Sequence, residues 1–421
     1  MKKFSLFIIS LLICYISSGQ NKEYAKSIID SLCSPQMYGR GYACNGDKIA
    51  SDFISKELIK LNVRPFHKSY FQNFNISVNT FPDTVFLIID NTTLVPGKDF
   101  LVMGNSSSIK GSFEIVRFDK NVFDSPQKMK EFQQRDFKNK VIIVDKQGIE
   151  DKDKLKNFDY MMINPFKARG LIFVSDEKMN WSNSDFVSDF FIINVKRDKM
   201  PQSVNKVTLN IKNQFLKDYS TRNIIGCIPG KICPDSFIVF TAHYDHLGIL
   251  GKNTRFPGAN DNASGVSLLM DLARYYIADS LRYSVAFIFT SAEELGLIGS
   301  KYYTENPEFP LDKIKILINF DLVGTGEDGI KVVNATLYKD EFDKLLKINQ
   351  SNNYLKVISS RGPAANSDHY YFYKKGVKSF FIYTLGGISE YHSVLDKPET
   401  LPLTKYNELF KLTTDFIRQI R

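Results

Sequence analysis

Histidine is scarce in this chain, with five in 421 residues, and tryptophan occurs once. Long apolar runs are absent too. The one extended stretch, from Phe4 to about Ile16, falls short of the ~20 residues a bilayer-spanning helix needs, so export is expected over retention as an anchor. Clustered positive charge is also missing. The balance of 55 Lys+Arg against 46 Asp+Glu leaves +9, but the lysines are interleaved with acids, as in QKMKEFQQRDFKNK and EDKDKLKNF. A nucleic-acid face wants basic residues gathered on one side, so this pattern describes a solvated surface. Cysteine is too sparse for a disulfide framework, and none of the five has zinc-ribbon spacing. A chain of this length buries a sizeable core without such staples.

The N-terminus, MKKFSLFIISLLICYISSGQ, places two lysines before the apolar run and small residues Ser17, Ser18 and Gly19 after it. That is the order of a secretory signal, with cleavage before Gln20. Cys14 is a weak lipoprotein acylation site because Ile13 is bulky where a small residue is wanted. The expectation is export, to the periplasm or outside the cell. Removal of Lys2 and Lys3 lowers the net charge from +9 to +7. The exported chain keeps Cys33, Cys44, Cys227 and Cys233, whose spacing suggests two local disulfides, Cys33–Cys44 and Cys227–Cys233.

The pattern changes twice along the chain. After the signal (1–19), residues 20–75 carry a helical stretch, GDKIASDFISKELIKLN, with Ile49, Phe53, Ile54, Leu58 and Ile59 at near-helical spacing. Residues 76–213 turn to short β-rich runs (TVFLII, FEIVRF, KVIIVD, GLIFVSD, FFIINV, KVTLNI) and read as a smaller β-rich inserted domain. Residues 214–421 alternate buried strands with helices: SFIVFTA, then NASGVSLLMDLARYYIADS, then SVAFIFTS, then a helix through GLIGSKYYTEN. KILINFDLV and VKSFFIYTL follow as strands, and LTKYNELFKLTTDFIRQI closes the chain as an amphipathic helix. Near-continuous apolar strands between helices predict an α/β fold with a mostly parallel sheet covered on both faces.

The scarce histidines fall where chemistry belongs in such a sheet. His243 and Asp245 end one strand (TAHYDHLG), Glu293 and Glu294 follow another (TSAEELG), and Asp321 follows a third (INFDLVG). Asp261 lies in GANDNASG and His392 in EYHSVLD. Sites in open α/β sheets form outside the carboxyl ends of strands, so these donors are expected to converge. Nitrogen and carboxylate oxygen together are metal ligands, and there are enough of them for two ions sharing a bridge.

These motifs, in this order over residues 223 to 400, resemble the secreted bacterial di-zinc aminopeptidases, a family of co-catalytic zinc exopeptidases. The middle block, with KNKVIIVD and FKARGLIFVSD, is similar to the protease-associated domain inserted in some relatives. The resemblance implies two zinc ions per chain: one held by His243 and Asp321, another by Glu294 and His392, with Asp261 bridging. It implies Glu293 as general base towards a shared water, Tyr391 as hydrogen-bond donor to the tetrahedral oxyanion, and Asp245 as the group that orients His243. It also implies a cis peptide after Asp261, and substrates that are peptides with free N-termini. His246 and His369 fall near the site without being ligands, whereas His67 and Trp181 carry no motif.

Three other readings share the residues. Glutaminyl cyclases resemble the chain in the Glu pair and the late His, but lack the N-A-S-G that follows Asp261 here. A carboxypeptidase of the same superfamily would need a basic pocket, for which Arg255 and Arg361 are candidates. A metal-free binding relative would have lost ligands or base, and this chain keeps every one.

Overall fold

The computed structural model describes residues 19–279 and 281–420, so nearly all of the signal reading lies outside the described residues. Two large sheets organise the chain. The first is nine-stranded and mixed. Its centre is parallel: Tyr283–Thr290, Cys233–His243, Ile314–Phe320 and Ser379–Leu385 lie side by side. Antiparallel strands flank it, with Gln214–Ile228 on one side and Gly329–Val333 on the other. All eight residues of Tyr283–Thr290 are buried, as YSVAFIFT requires of a strand covered on both faces. Helices Ser264–Ala278 and Tyr406–Arg418 contribute to the same core as these strands, along with helix Lys22–Leu32. Among the described residues, no helix is long and apolar enough to cross a membrane.

The second sheet has eight strands, all drawn from residues 85–211, and the six apolar runs of the middle block are six of them. It too has a parallel centre, Ile109–Arg117 through Phe191–Lys196. One face packs against helices Pro126–Gln133 and Lys152–Tyr160 through a phenylalanine-rich core. The other face shares its core with Leu247, Leu250 and Phe256, from the segment that follows His243.

The N-terminal segment joins the first sheet directly: Arg64–Pro65 and Phe71–Thr80 both pair with Gln214–Ile228. Helix Gly46–Lys60 buries Ile54 and Leu58, but Ile49 and Ile59 point outwards, 36% and 58% exposed. The inward face uses polar groups in their place. Asp47 accepts hydrogen bonds from Tyr219 (2.6 Å) and Thr221 (2.8 Å) on the long strand beneath.

The expected disulfides are not formed; all four cysteines are free. Cys227 sits opposite Ala286, and Cys233 opposite Tyr283 from the other side of the same strand. Two strand spacings, roughly 10 Å, therefore separate them. Disulfide-linked Cα atoms lie within about 7 Å. Cys33 faces Arg40 Nη1 at 3.8 Å, while Cys44 is exposed on the turn before the next helix. Burial pushes the Cys33 and Cys227 thiols up to about 12.

Candidate metal centre

Strand register assembles the site. His243 is the last residue of its strand and lies opposite Thr290, three residues before Glu293. On the other side Thr241 lies opposite Asn319, so His243 and Asp321, two residues further along each strand, stand side by side. Asp261 reaches them from the loop before helix Ser264–Ala278. The Asp261–Asn262 peptide is cis, as the resemblance implies. That loop leaves no room for a side chain at Gly258 (φ +61°), where a Cβ would meet Asp261 O at 2.2 Å and Arg40 Nη2 at 2.6 Å. His392 comes from a loop after strand Ser379–Leu385 and has a left-handed backbone, φ +49°.

Side-chain atoms meet in two sets that share Asp261. In the first, His243 Nε2 lies 3.2 Å from Asp261 Oδ1 and 3.4 Å from Asp321 Oδ1. In the second, His392 Nε2 lies 3.2 Å from Asp261 Oδ2 and 3.0 Å from Glu294 Oε2. Tetrahedral ligands at bonds of ~2.0–2.1 Å would stand roughly 3.3 Å apart, so both sets have the separations a small divalent ion imposes. Buried His243 Nε2 and Asp321 Oδ1 have no hydrogen-bond partner, which also fits a metal. His246 is close enough to Asp261 and Glu294 to form another donor group. Its Nδ1 lies only 2.7 Å from Glu294 Oε1, an ordinary hydrogen bond, so we assign it to holding Glu294 and leave Oε2 for the His392 side.

The charges are mutually dependent. Burial opposes a charged His243, but the carboxylates of Glu293, Asp321 and Asp261 outweigh it and hold the imidazole well above its ordinary value. His392, partly buried, is likewise raised to about 11 by Glu294 and Asp261. Burial opposes a charged Asp261, but the neighbouring imidazoles of His243 and His392 outweigh it and hold the carboxyl well below the usual carboxylate range. Glu293 goes the other way: burial, with Glu294 and Asp321 nearby, lifts it well above the ordinary range.

Glu293, Asp261, Asp321 and Tyr391 line one cavity of about 190 Å3, with Leu322, Phe381 and Tyr383. Tyr391 is 45% exposed and stacks on the His392 ring at 3.9 Å. Its partial burial and the Asp261 and Glu294 carboxylates raise its pKa, so the phenol keeps its proton. Asp245 backs His243 through its main-chain carbonyl, 3.2 Å from Nδ1, rather than through its carboxylate, 3.8 Å away. The carboxylate accepts from Tyr42 OH (2.8 Å) and from the Glu293 N–H (3.2 Å). His369 is buried against Phe381 and donates nothing to either set.

Three residues that the sequence reading missed support the donors. Ser367 donates to Asp321 Oδ2 (2.9 Å), and itself accepts from Asn319 (2.7 Å). Asp396 accepts the N–H groups of Asn260 (2.8 Å) and Asp261 (3.0 Å). Arg40, fully buried, donates to five main-chain carbonyls: Leu32, Tyr244, Pro257, Gly258 and Asp261. The one local signal for Arg40 is a charged residue between two glycines, Gly39 and Gly41.

Residues 223–417 match the model of peptidase family M28. Aminopeptidase YwaD of Bacillus subtilis (strain 168) is 31% identical over 136 residues, which are 32% of this chain and 29% of that protein. The matched stretch thus spans under a third of that relative. Two solved structures share the fold along nearly the whole chain. A zinc aminopeptidase from Bacillus subtilis, BSAP, superposes with a TM-score of 0.70 at 19% identity, covering 94% of each chain. A peptidase M28 precursor from Shewanella amazonensis SB2B also gives 0.70, at 16% identity, covering 95% of this chain and 93% of that one. Residues 223–417, just under half of the chain, are thus similar to peptidase family M28.

Proposed function

We propose that the protein is a zinc-dependent aminopeptidase that releases single residues from the free N-termini of peptides. The observation that carries this reading is the pair of donor sets sharing Asp261, one oxygen to each side, beside a carboxylate, Glu293, that belongs to neither. In this reading His243 and Asp321 would hold one ion, Glu294 and His392 the other, and Asp261 would serve both. When bound, such a pair polarises the scissile carbonyl and acidifies a water. Glu293 takes the water's proton as oxygen adds to the carbonyl carbon, and delivers it to the amine as the C–N bond breaks. Tyr391 donates its phenolic proton in a hydrogen bond to the developing oxyanion. Asp245 fixes the Glu293–Glu294 turn through the Glu293 N–H, and His243 through its carbonyl.

Residues 20–75 and 214–421 form the peptidase unit in this proposal, and 76–213 a protease-associated-like insert. The lysines and apolar run at the start of the chain support export.

The test uses pairs of identical peptides, one of each pair N-acetylated, digested with and without chelator and read by mass spectrometry. Stepwise release from the free peptide alone, abolished by chelator and restored by zinc, is the expected result. Conversion of N-terminal glutamine without chain shortening would mean a cyclase. Trimming from the C-terminus, or equal cutting of the acetylated copy, would mean another peptidase class.

A further inference from the structure

We infer that the second sheet is a working part of the metal centre, because its Lys178–Trp181 segment sets the position of the His392 loop. The inference rests on the assignment of His392 as a ligand. Three contacts join the segment or its core to that loop. Trp181 N–H donates to the His392 carbonyl at 3.0 Å. The Lys178 ammonium donates to the Ser389 carbonyl at 3.1 Å and to the Ser389 hydroxyl. Val394 packs into the hydrophobic core of the second sheet.

The loop needs such support. Residues 387–394 contain no helix or strand. Among the described residues, their backbone makes two hydrogen bonds to another segment, the ones from the Trp181 N–H and the Lys178 ammonium. His392 is also held at φ +49°, which a non-glycine residue keeps only where its surroundings enforce it.

The support itself is rigid. The Trp181 indole is 2% exposed and stacks on Phe256 at 4.6 Å, and its Nε1 donates to the Val102 carbonyl at 2.6 Å. Trp181 thus ties together a strand of the second sheet, the segment after His243 and the His392 main chain. Around these contacts the two segments part across a cavity of about 810 Å3, lined by Ser175, Asp176 and Glu177 on one side and Glu390, Ser393 and Leu395 on the other. The coupling is therefore concentrated in a few groups that can be removed singly.

Lys178 and Trp181 are positioning residues, since neither touches the side-chain donor atoms: Trp181 reaches only the His392 main chain, and Lys178 only Ser389. They act on the ligand set that contains His392 and leave the His243–Asp321 set alone. The test is cobalt(II) titration of the metal-free full-length protein, followed by visible absorption with a competing chelator. Wild type should take up two ions. Lys178→Ala should bind the first unchanged and the second ~10–100-fold more weakly, the usual effect of losing an outer-sphere partner. Lys178→Arg, which keeps a donor of similar reach, should recover most of the loss. Arg197→Ala provides the control: it breaks pairs with Asp145 and Asp176 at the rim of the same cavity, but touches nothing in the loop. It should lower thermal stability and leave both affinities intact. Unchanged second-ion affinity in Lys178→Ala, an equal fall in both affinities, or an equal fall in Arg197→Ala would overturn the inference. Wild type that binds fewer than two ions would instead sink the two-metal reading beneath it.

Discussion

Glu293 and Glu294 are neighbours in sequence with opposite environments. Burial pushes Glu293 towards the neutral acid, whereas His246 and His392 overcome the burial of Glu294 and bring it down to about 2. Two carboxyl groups with pKa values driven apart can divide base and ligand duties between them. Glu293→Gln should therefore cut turnover ~10²–10⁴-fold while metal content, read by atomic absorption, stays at the wild-type level. Loss of metal in that variant would move Glu293 into the ligand set. Ser367 offers a complementary test. Its hydroxyl is the hydrogen-bond donor to Asp321 Oδ2, so Ser367→Ala should weaken binding of the ion on the His243 side ~10–100-fold and leave the fold intact by circular dichroism. At this scale the donors were legible because each one follows an apolar run or a glycine-rich turn. Ser367, Asp396 and Arg40 were not, since the hydrogen bonds that join them to Asp321 and Asp261 span 46 to 221 positions, which no local pattern encodes.

At the scale of elements, continuous apolar strands were readable because burial on both faces leaves no alternation to misjudge. Helix Gly46–Lys60 was readable as a helix but not in its orientation. Ile49 and Ile59 face solvent because Asp47 and Ser51 are drawn inwards by Tyr219, Thr221 and Arg222 on the strand beneath. The disulfide reading failed for a related reason: closeness in sequence says nothing about the strand that comes between Cys227 and Cys233. Arg40 shows what joins elements here. Its guanidinium ties the end of helix Lys22–Leu32 to the Asp261 loop, and Lys, with a single nitrogen, cannot satisfy five carbonyls in that fork. Arg40→Met should leave those acceptors buried and unpaired, at a cost of about 3 kcal/mol or more, measured by urea unfolding. A loss under about 1 kcal/mol would mean that water replaces the guanidinium.

Over the whole molecule, metal and protons compete for the same atoms. In the metal-free chain the imidazoles of His243 and His392 stay protonated because carboxylates surround them. These pairs satisfy the buried charge, so removal of metal by chelator at pH 7 should leave the chain folded, with a lower Tm. The sign of the pH effect follows. A histidine whose pKa rises on folding adds stability that is complete below its unfolded value of ~6.5 and is lost as pH climbs through the folded one, about 11 for His392. Bound divalent ions require the same imidazoles to be neutral, and the carboxylates ionised. The metal-free chain should thus lose stability as pH rises from 7 to 9, while the loaded chain does not, and the gap in Tm between them should widen. Calorimetric titration of zinc at pH 7, in buffers of differing ionisation enthalpy, should show at least about two protons released per chain filled. Uptake of two ions with no proton release would mean that the imidazoles are neutral before metal arrives, and that the carboxylates around them do not set their charge.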